Sequence, residues 1–362
     1  MKETVVVGMS GGVDSSVAAY LLKEQGYNVI GVTMQIWQDE DVCTLEHEGG
    51  CCGLSAVDDA RRVADVLEIP YYVMNFKQEF QTNVIDYFVR EYQAGRTPNP
   101  CIACNRYVKW ESLLQRSIEI GADYIATGHY ARIKQLPNGR YAIANSVTAR
   151  KDQTYALYNL TQEQLRRTLM PVGEYEKERV RQIAEEVGLP VAHKPDSMEI
   201  CFVPDGDYAS YIEQATGKPS VPGNFVDGGG HILGQHKGII HYTVGQRKGL
   251  GLALGYPAFV VQIRPETNEV VIGSLEHNLS HHVYAREMNF MGEEMFDENA
   301  VYQGKIRYNH AGAACHIVRR ADDLYECIFE EPQRGVTPGQ ALVLYRDGIV
   351  AGGGTICRPE TE

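Results

Sequence analysis

From residue 1 to about 205, short β-branched runs alternate with longer stretches of helical periodicity. Thr4–Val7 is a short apolar run that stops at Gly8, and Val13, Val17, Leu21 and Leu22 then recur at helical spacing until Gly26. Residues 13 to 25 are therefore predicted as a helix entered directly from a glycine turn. The unit repeats: Tyr27–Met34 reads as a second strand, Ser55–Leu67 as a helix with Ser55 as its N-cap and Asp58 three residues on, Tyr71–Asn75 as a third strand and Tyr124–Thr127 as a later one. Strands alternating with helices predict a doubly wound α/β domain built on a parallel sheet. Beyond about residue 206 the helical periodicity fades and glycine clusters appear at Val226–Gly230 and Gly245–Gly255. Ala258–Ile263 and Val270–Ile272, joined by Pro265–Asn268, read as a hairpin. From Val283 on, the runs Gly304–Arg307, Ala314–Val318, Tyr325–Phe329, Ala341–Leu344 and Val350–Ile356 are spaced by turn residues as in a small β-barrel. The chain thus divides into residues 1–205, 206–278 and 279–362, with no internal repeat.

Charge narrows the function. The chain of 362 residues carries 34 Lys and Arg against 47 Asp and Glu, a net −13, which is unlike a protein that coats nucleic acid by bulk charge. A nucleic-acid partner would have to be held by local patches. Hydrophobic residues make up 44% and charged ones 22%, an ordinary globular balance. No stretch approaches the ~20 apolar residues of a membrane span, and the opening MKETVVVGMSGG is too short in its apolar part for a signal peptide. A cytoplasmic protein is expected, with no membrane partner. Nine cysteines, at 43, 51, 52, 101, 104, 201, 315, 327 and 357, are an odd number, and in a reducing compartment they point to catalysis or metal rather than a disulfide framework.

Between the first strand and the first helix lies Gly8-Met9-Ser10-Gly11-Gly12-Val13-Asp14-Ser15-Ser16. Glycines at such a turn let backbone N–H groups converge, and the helix N-terminus adds partial positive charge, so the segment suits a phosphate. It has neither the Lys of a Walker loop nor the G-x-G-x-x-G of a dinucleotide fold. Ser10–Ser15 resembles the signature of the pyrophosphate-loop ATP pyrophosphatases, which cleave ATP between the α- and β-phosphates. That resemblance implies ATP and Mg²⁺: Gly8, Met9, Ser10, Gly11, Gly12, Val13 and Ser15 on the nucleotide, Asp14 placing the metal, Gly128 approaching the nucleotide, and Met34 packing on adenine. From composition alone Met34 reads equally as a core methionine.

Three cysteines stand in notable company. Arg96-Thr97-Pro98-Asn99-Pro100-Cys101-Ile102-Ala103-Cys104-Asn105 places two thiols after a rigid proline loop, and Asp196-Ser197-Met198-Glu199-Ile200-Cys201-Phe202 supplies a third. A thiolate is a strong nucleophile and a good sulfur acceptor. With Thr127–Ala131 (TGHYA), Lys151–Tyr155 (KDQTY), Tyr242–Gly249 (YTVGQRKG) and Thr337–Gln340 (TPGQ), the chain resembles the tRNA-specific 2-thiouridylase family along essentially its whole length. The resemblance implies ATP-dependent sulfur insertion at position 2 of a tRNA wobble uridine. It assigns Cys201 a persulfide received from a partner protein, a cysteine desulfurase or sulfur relay, and makes Cys104 the second thiol, with a Cys104–Cys201 disulfide to be reduced afterwards. It also places Asn99, Pro100, Cys101, His129, Lys151, Asp152, Gln153, Arg307, Tyr308 and Gln340 on the tRNA anticodon arm, and gives no role to DNA. One wobble base splayed from its stack suits a pocket better than a basic face.

One position departs from the family pattern: many members carry an acidic residue where this chain has Cys101. Cys101, Cys104 and Cys201 then form a possible ligand set for an iron–sulfur cluster with one open iron, and Cys51 and Cys52 could complete a zinc site. Two other readings stay open: an adenylating enzyme with a nitrogen nucleophile, which would need none of the placed thiols, and a nucleotide- or metal-holding module without turnover. His281 and His282 read as a surface-loop pair, and the mixed-charge run Glu176–Glu186 as a solvated helix face without function.

Overall fold

The computed structural model describes residues 2–36, 54–196 and 200–359. The described residues within Met1–Val84, Cys101–Gly206 and Gly348–Val350 form one compact unit, and those within Ile85–Pro100, Asp207–Asp347 and Ala351–Glu362 form a second.

In the first unit, β1 (Thr4–Gly8), β2 (Asn28–Gln35), β3 (Tyr71–Asn75) and β4 (Tyr124–Ala126) are followed by a hairpin of β5 (Ala131–Gln135) and β6 (Tyr141–Asn145), then by β7 (Thr168–Leu169). The main sheet runs β3-β2-β1-β4-β7, all parallel, with Val5 opposite Val29 on one side and Tyr124 on the other. Strands of parallel sheets are covered on both faces, and Val5, Val6 and Val7 are fully buried. Helix α1 (Val13–Glu24) lays Val13, Val17, Leu21 and Leu22 on that sheet beside Val180, Ile183 and Ala184 of the helix Lys177–Glu186. Leu22 is 1% exposed, so truncating it to Ala would cost about 2–5 kcal/mol.

The doubly wound reading holds, with two local differences. Ser55 lies inside the helix Leu54–Val66 and is not its N-cap. The hairpin β5–β6, with Ala131 opposite Asn145, is an element the periodicity did not announce, although Pro137-Asn138-Gly139 between two alternating runs is a turn signal, with Gly139 at φ +82.

In the second unit a four-stranded sheet has the order β10-β11-β8-β9, made of β8 (Gly223–Val226), β9 (Ile232–His236), β10 (Phe259–Arg264) and β11 (Glu269–Gly273). The predicted β10–β11 hairpin is present, and Asn268 at φ 51 turns it, a conformation Asn tolerates better than most side chains. Six further strands follow: β12 (Leu279–Phe290), β13 (Tyr302–Lys305), β14 (Ala313–Ala321), β15 (Leu324–Arg334), β16 (Ala341–Arg346) and β17 (Ile349–Cys357). They run β12-β15-β14-β13-β16-β17, and pairing of β12 with β17 closes them into a barrel. Its core holds Val283, Ile317, Phe329, Leu342, Leu344 and Ile356. Cys315 and Cys327 are buried in it, and burial pushes the Cys327 thiol up, so these two are packing cysteines. His281 and His282 are on strand β12, not in a loop; the His282 ring is 2.7 Å from Glu326 of the neighbouring strand.

Candidate active site

At the carboxyl end of β1 the chain turns through Ser10, Gly11 and Gly12 into α1. Gly11 has φ +68, and a Cβ there would strike the Ala56 backbone, so both conformation and space demand glycine. Gly12 is the N-cap of α1 and brings no side-chain acceptor. The first-turn N–H groups of a helix have no intrahelical acceptor, which leaves these donors for an anion. Ser10 N donates to Ser15 Oγ (3.1 Å), and Ser16 Oγ donates to the Gly12 carbonyl (2.7 Å), so the serines brace the loop from within. Gly128, just after β4, lies against the same turn: a Cβ on it would be 2.5 Å from Ser15 N and 2.6 Å from the Asp14 carbonyl carbon. The gap between β1 and β4 is where the strand order reverses, the place where open α/β sheets bind ligands. Gly8, Ser10–Ser15 and Gly128 thus converge. Met9 is buried, its carbonyl accepting from Thr33 Oγ1 at 2.8 Å, and faces the core. Met34 is partly exposed near the end of β2, opposite Met74 of β3.

Asp14 anchors a chain of ion pairs. Its carboxylate accepts from Tyr130 Oη at 2.7 Å and from Lys177 Nζ at 2.7 and 2.9 Å. Lys177 Nζ is also 2.8 Å from Asp196, which in turn accepts from Arg181 and Lys151, each at 2.8 Å. Burial would raise the Asp196 carboxyl, but hydrogen bonds from Lys151 and Lys177 outweigh it and hold it at about 2. Tyr130 is pushed well up, by burial and then by Asp14, and stays a proton donor. A second lysine, Lys194, places Nζ 3.1 Å from the Gly11 carbonyl and 2.7 Å from Asp59. The solvated-face reading of Glu176–Glu186 is therefore corrected: Lys177 is 7% exposed and faces the glycine loop. Lys177 and Arg181 share a helix face with buried Val180 and Ala184, and that i, i+4 coincidence of cations with an apolar stripe was the available signal.

Cys101 is exposed and Cys104 half-buried. They begin a helical stretch that starts at Pro100 and winds as a π-helix from Cys104 to Leu113. Proline suits a first helical position, and π-segments are uncommon and concentrate at functional sites. Cys201 is half-buried beside Phe202, whose ring packs on Phe80 at 5.8 Å. Among the described residues no three His, Cys, Asp or Glu side chains gather as a metal site, so Cys101, Cys104 and Cys201 do not form a ligand triad here. Cys43, Cys51, Cys52 and Ser197–Glu199 of the third motif lie outside the described residues.

His129 Nδ1 is 2.6 Å from Thr127 Oγ1 and its ring packs on Trp110; desolvation, with Lys109 nearby, keeps it well below 6.5 and neutral. Lys151 is held by Asp196, Asp152 accepts from Ser146 N at 2.8 Å, and Gln153 accepts from Tyr130 N at 2.8 Å. All three side chains have intramolecular roles.

In the second unit other motif residues meet around a cleft of about 390 Å³, lined by Thr97, Thr243, Gly245, Arg307, Thr337 and Gln340. Gln340 Nε2 donates to the Thr97 carbonyl at 2.9 Å, Thr97 N donates to Pro338 O at 2.9 Å, and Thr337 Oγ1 donates to Val244 O at 3.3 Å. Segments separated by more than 200 residues in sequence are tied here by one backbone–backbone bond, Thr97 N to Pro338 O, and by the Gln340 side chain on the Thr97 carbonyl. Arg307 donates to the Arg334 carbonyl at 2.9 Å, and Tyr308 is 42% exposed next to it. Asn99 and Pro100 follow Thr97 in the same unit.

Three family models match the chain: a tRNA methyl transferase HUP domain over residues 3–205, a tRNA methyl transferase PRC-barrel domain over 210–274 and an aminomethyltransferase beta-barrel domain over 280–356. A protein of Lachnoclostridium phytofermentans named tRNA-specific 2-thiouridylase MnmA is 71% identical over 98% of this chain and 99% of its own length. Proteins of the same name from Clostridium perfringens and Clostridioides difficile are 57% and 54% identical, each over 98% of both chains. A glycine loop at the switch point of a parallel sheet, followed by a small sheet and a closed barrel, accompanies identity of more than half the residues along nearly whole relatives, and the chain belongs to the tRNA-specific 2-thiouridylase family.

Proposed function

We propose that this chain adenylates the C2 oxygen of a wobble uridine in the tRNA anticodon arm and replaces it with sulfur, releasing AMP and pyrophosphate. The observation that carries the reading is the braced glycine loop with unclaimed helix N–H donors and Asp14 at its mouth, on a chain of this family. A uridine carbonyl has no leaving group, and ATP supplies one. Those donors and the Asp14 carboxylate are the groups a polyphosphate and its Mg²⁺ require, so Gly8–Ser15 and Gly128 would hold the nucleotide and Asp14 the metal, with Met34 on adenine. The uridine oxygen attacks the α-phosphorus as the bond to the pyrophosphate oxygen breaks. A persulfide on Cys201, supplied by a cysteine desulfurase or relay protein, attacks C2 and AMP leaves. The Cys104 thiolate then attacks Cys201 Sγ, the S–S bond to the transferred sulfur breaks, and a Cys104–Cys201 disulfide remains for an external thiol to reduce.

The persulfide route is preferred to a cluster because two thiols suffice for it, and no ligand triad gathers among the described residues. Asn99, Pro100, Cys101, His129, Lys151, Asp152, Gln153, Arg307, Tyr308 and Gln340 are proposed to face the tRNA, and the working division is 1–205, 206–278 and 279–362, which the ranges of the family models support. No helix among the described residues is long and apolar enough to cross a membrane, and the reading places the chain in the cytoplasm with its substrate. A nitrogen nucleophile would leave the cysteines without purpose. The test is Cys201→Ser: pyrophosphate release should persist, while labelled sulfur no longer loads and 2-thiouridine disappears. Wild-type yields of 2-thiouridine from that variant would overturn the mechanism.

A further inference from the structure

The signature loop contains no cation of its own: Gly8–Ser16 holds an Asp and three Ser but neither Lys nor Arg. Loops that bind ATP phosphates commonly carry a lysine for the β- and γ-oxygens, and a polyphosphate resting on backbone dipoles alone would lack that charge. The fold brings one from elsewhere. Lys177 Nζ, 163 residues from Asp14, bonds both carboxylate oxygens of that residue and also reaches Asp196. Its side chain is 8% exposed, so an ammonium group has been taken almost wholly out of water. Burying a lysine is costly unless it is paired, and here two carboxylates pair it. Among the described residues, the ion pairs around the loop join four cations, Lys151, Lys177, Arg181 and Lys194, to three anions, Asp14, Asp59 and Asp196. Among the described residues these pairs leave one more cation than anion. When Asp14 turns to a metal, Lys177 loses one of its two carboxylate partners and its charge is freed beside Asp14.

We infer that Lys177 is the loop's missing cation: it holds Asp14 while the nucleotide is absent and binds the polyphosphate once Asp14 engages Mg²⁺, stabilising the charge that develops on the departing pyrophosphate. Asp196, fixed by Lys151 and Arg181, is the positioning residue that keeps Nζ at the loop. The inference rests on the adenylation reading for its ligand, not on the identity of the sulfur acceptor.

The experiment compares wild type with Lys177→Met, Lys177→Arg and Asp196→Asn in the full chain, measuring Mg·ATP affinity by calorimetry without tRNA, pyrophosphate release with tRNA, and melting. Lys177→Met should weaken Mg·ATP binding about 10-fold or more and slow pyrophosphate release about 100-fold, within the range for loss of one charge-stabilising donor. Lys177→Arg keeps the charge and should recover part of both. If Lys177→Met does not fold, the arginine variant still decides: a purely packing role predicts lowered melting with unchanged Mg·ATP affinity. Affinity within twofold of wild type in a folded lysine variant would overturn the inference while leaving the proposed function intact. Lysine-dependent ATP binding by a protein that makes no 2-thiouridine would overturn the proposed function alone. Wild type that binds no Mg·ATP would overturn both.

Discussion

Gly128→Ala isolates the contact between the segment after β4 and the first turn of α1. The added methyl would sit 2.5 Å from Ser15 N, 2.6 Å from the Asp14 carbonyl carbon and 2.9 Å from the Asp14 carbonyl oxygen. Ordinary contact begins near 3.4 Å, so about 0.9 Å must be found by moving backbone against backbone, where no rotamer can relieve it. Overpacking of this kind costs about 1–3 kcal/mol, which for a domain of this size lowers melting by about 2–12 °C. The functional effect should be larger than the thermal one. The atoms displaced belong to Asp14 and Ser15, and a shift of about 1 Å in a positioning group can cost ~100-fold in rate. The assay pairs ATP-dependent pyrophosphate release with a melting curve, using Gly228→Ala as control, since a Cβ there meets nothing within 4 Å. Gly228→Ala should match wild type within about 0.5 kcal/mol. A Gly128→Ala protein with wild-type melting and pyrophosphate release within twofold would refute the close approach.

Asp14→Asn should slow pyrophosphate release about 100-fold or more while tRNA affinity, measured by filter binding, stays near wild type, because the role proposed for that charge is toward the metal and phosphates. Cys101→Asp replaces a soft thiolate with a hard carboxylate and should retain most thiolation in iron-free protein; activity that tracks iron content and vanishes in this variant would establish the cluster route instead. Asp196 is held below its ordinary 3.8, at about 2, by its lysines, so its ion-pair contribution is whole above about pH 4 and fades as pH falls through about 2. Discounting for partial exposure, the contribution is about 1–2 kcal/mol; the stability gap between wild type and Asp196→Asn should narrow from pH 5 to 2, and a constant gap would contradict the pairing.

The first strands and helix are legible because glycines punctuate them: β1 ends at Gly8, α1 stops short of Gly26, and the apolar spacing between is regular. The glycine loop is legible for the same reason, since its residue types have few uses other than backbone approach. Strand β12 was missed because its period breaks. Its register shifts between Ser280 and His282 and again between Arg286 and Asn289, with Glu287 at φ 54, so alternation never accumulates along the chain. Lys177 was missed for another reason. Periodicity names the face a residue lies on, but the group opposite that face is a tertiary fact, here Asp14 more than 160 residues away. The meeting of Thr97, Thr243 and Gln340 at one cleft is likewise absent from any local pattern.

The closure of the barrel bears on how the protein is made. β17 joins β16 on one side and β12 on the other, with Ala285 opposite Ile356, so a single strand carries both seams. It is also the last of the six to be synthesised. A nascent chain that has reached Asp347 holds five strands whose outer edges, along β12 and β16, are bare hydrogen-bonding templates. Gly352 and Gly354 let β17 settle directly on the β12 backbone at Asn289 and Arg286, where any Cβ would collide. Premature termination or proteolysis before Ile349 would therefore do more than shorten the barrel: it would turn a sheet without ends into one with two adhesive edges, and such fragments should be recovered as aggregates.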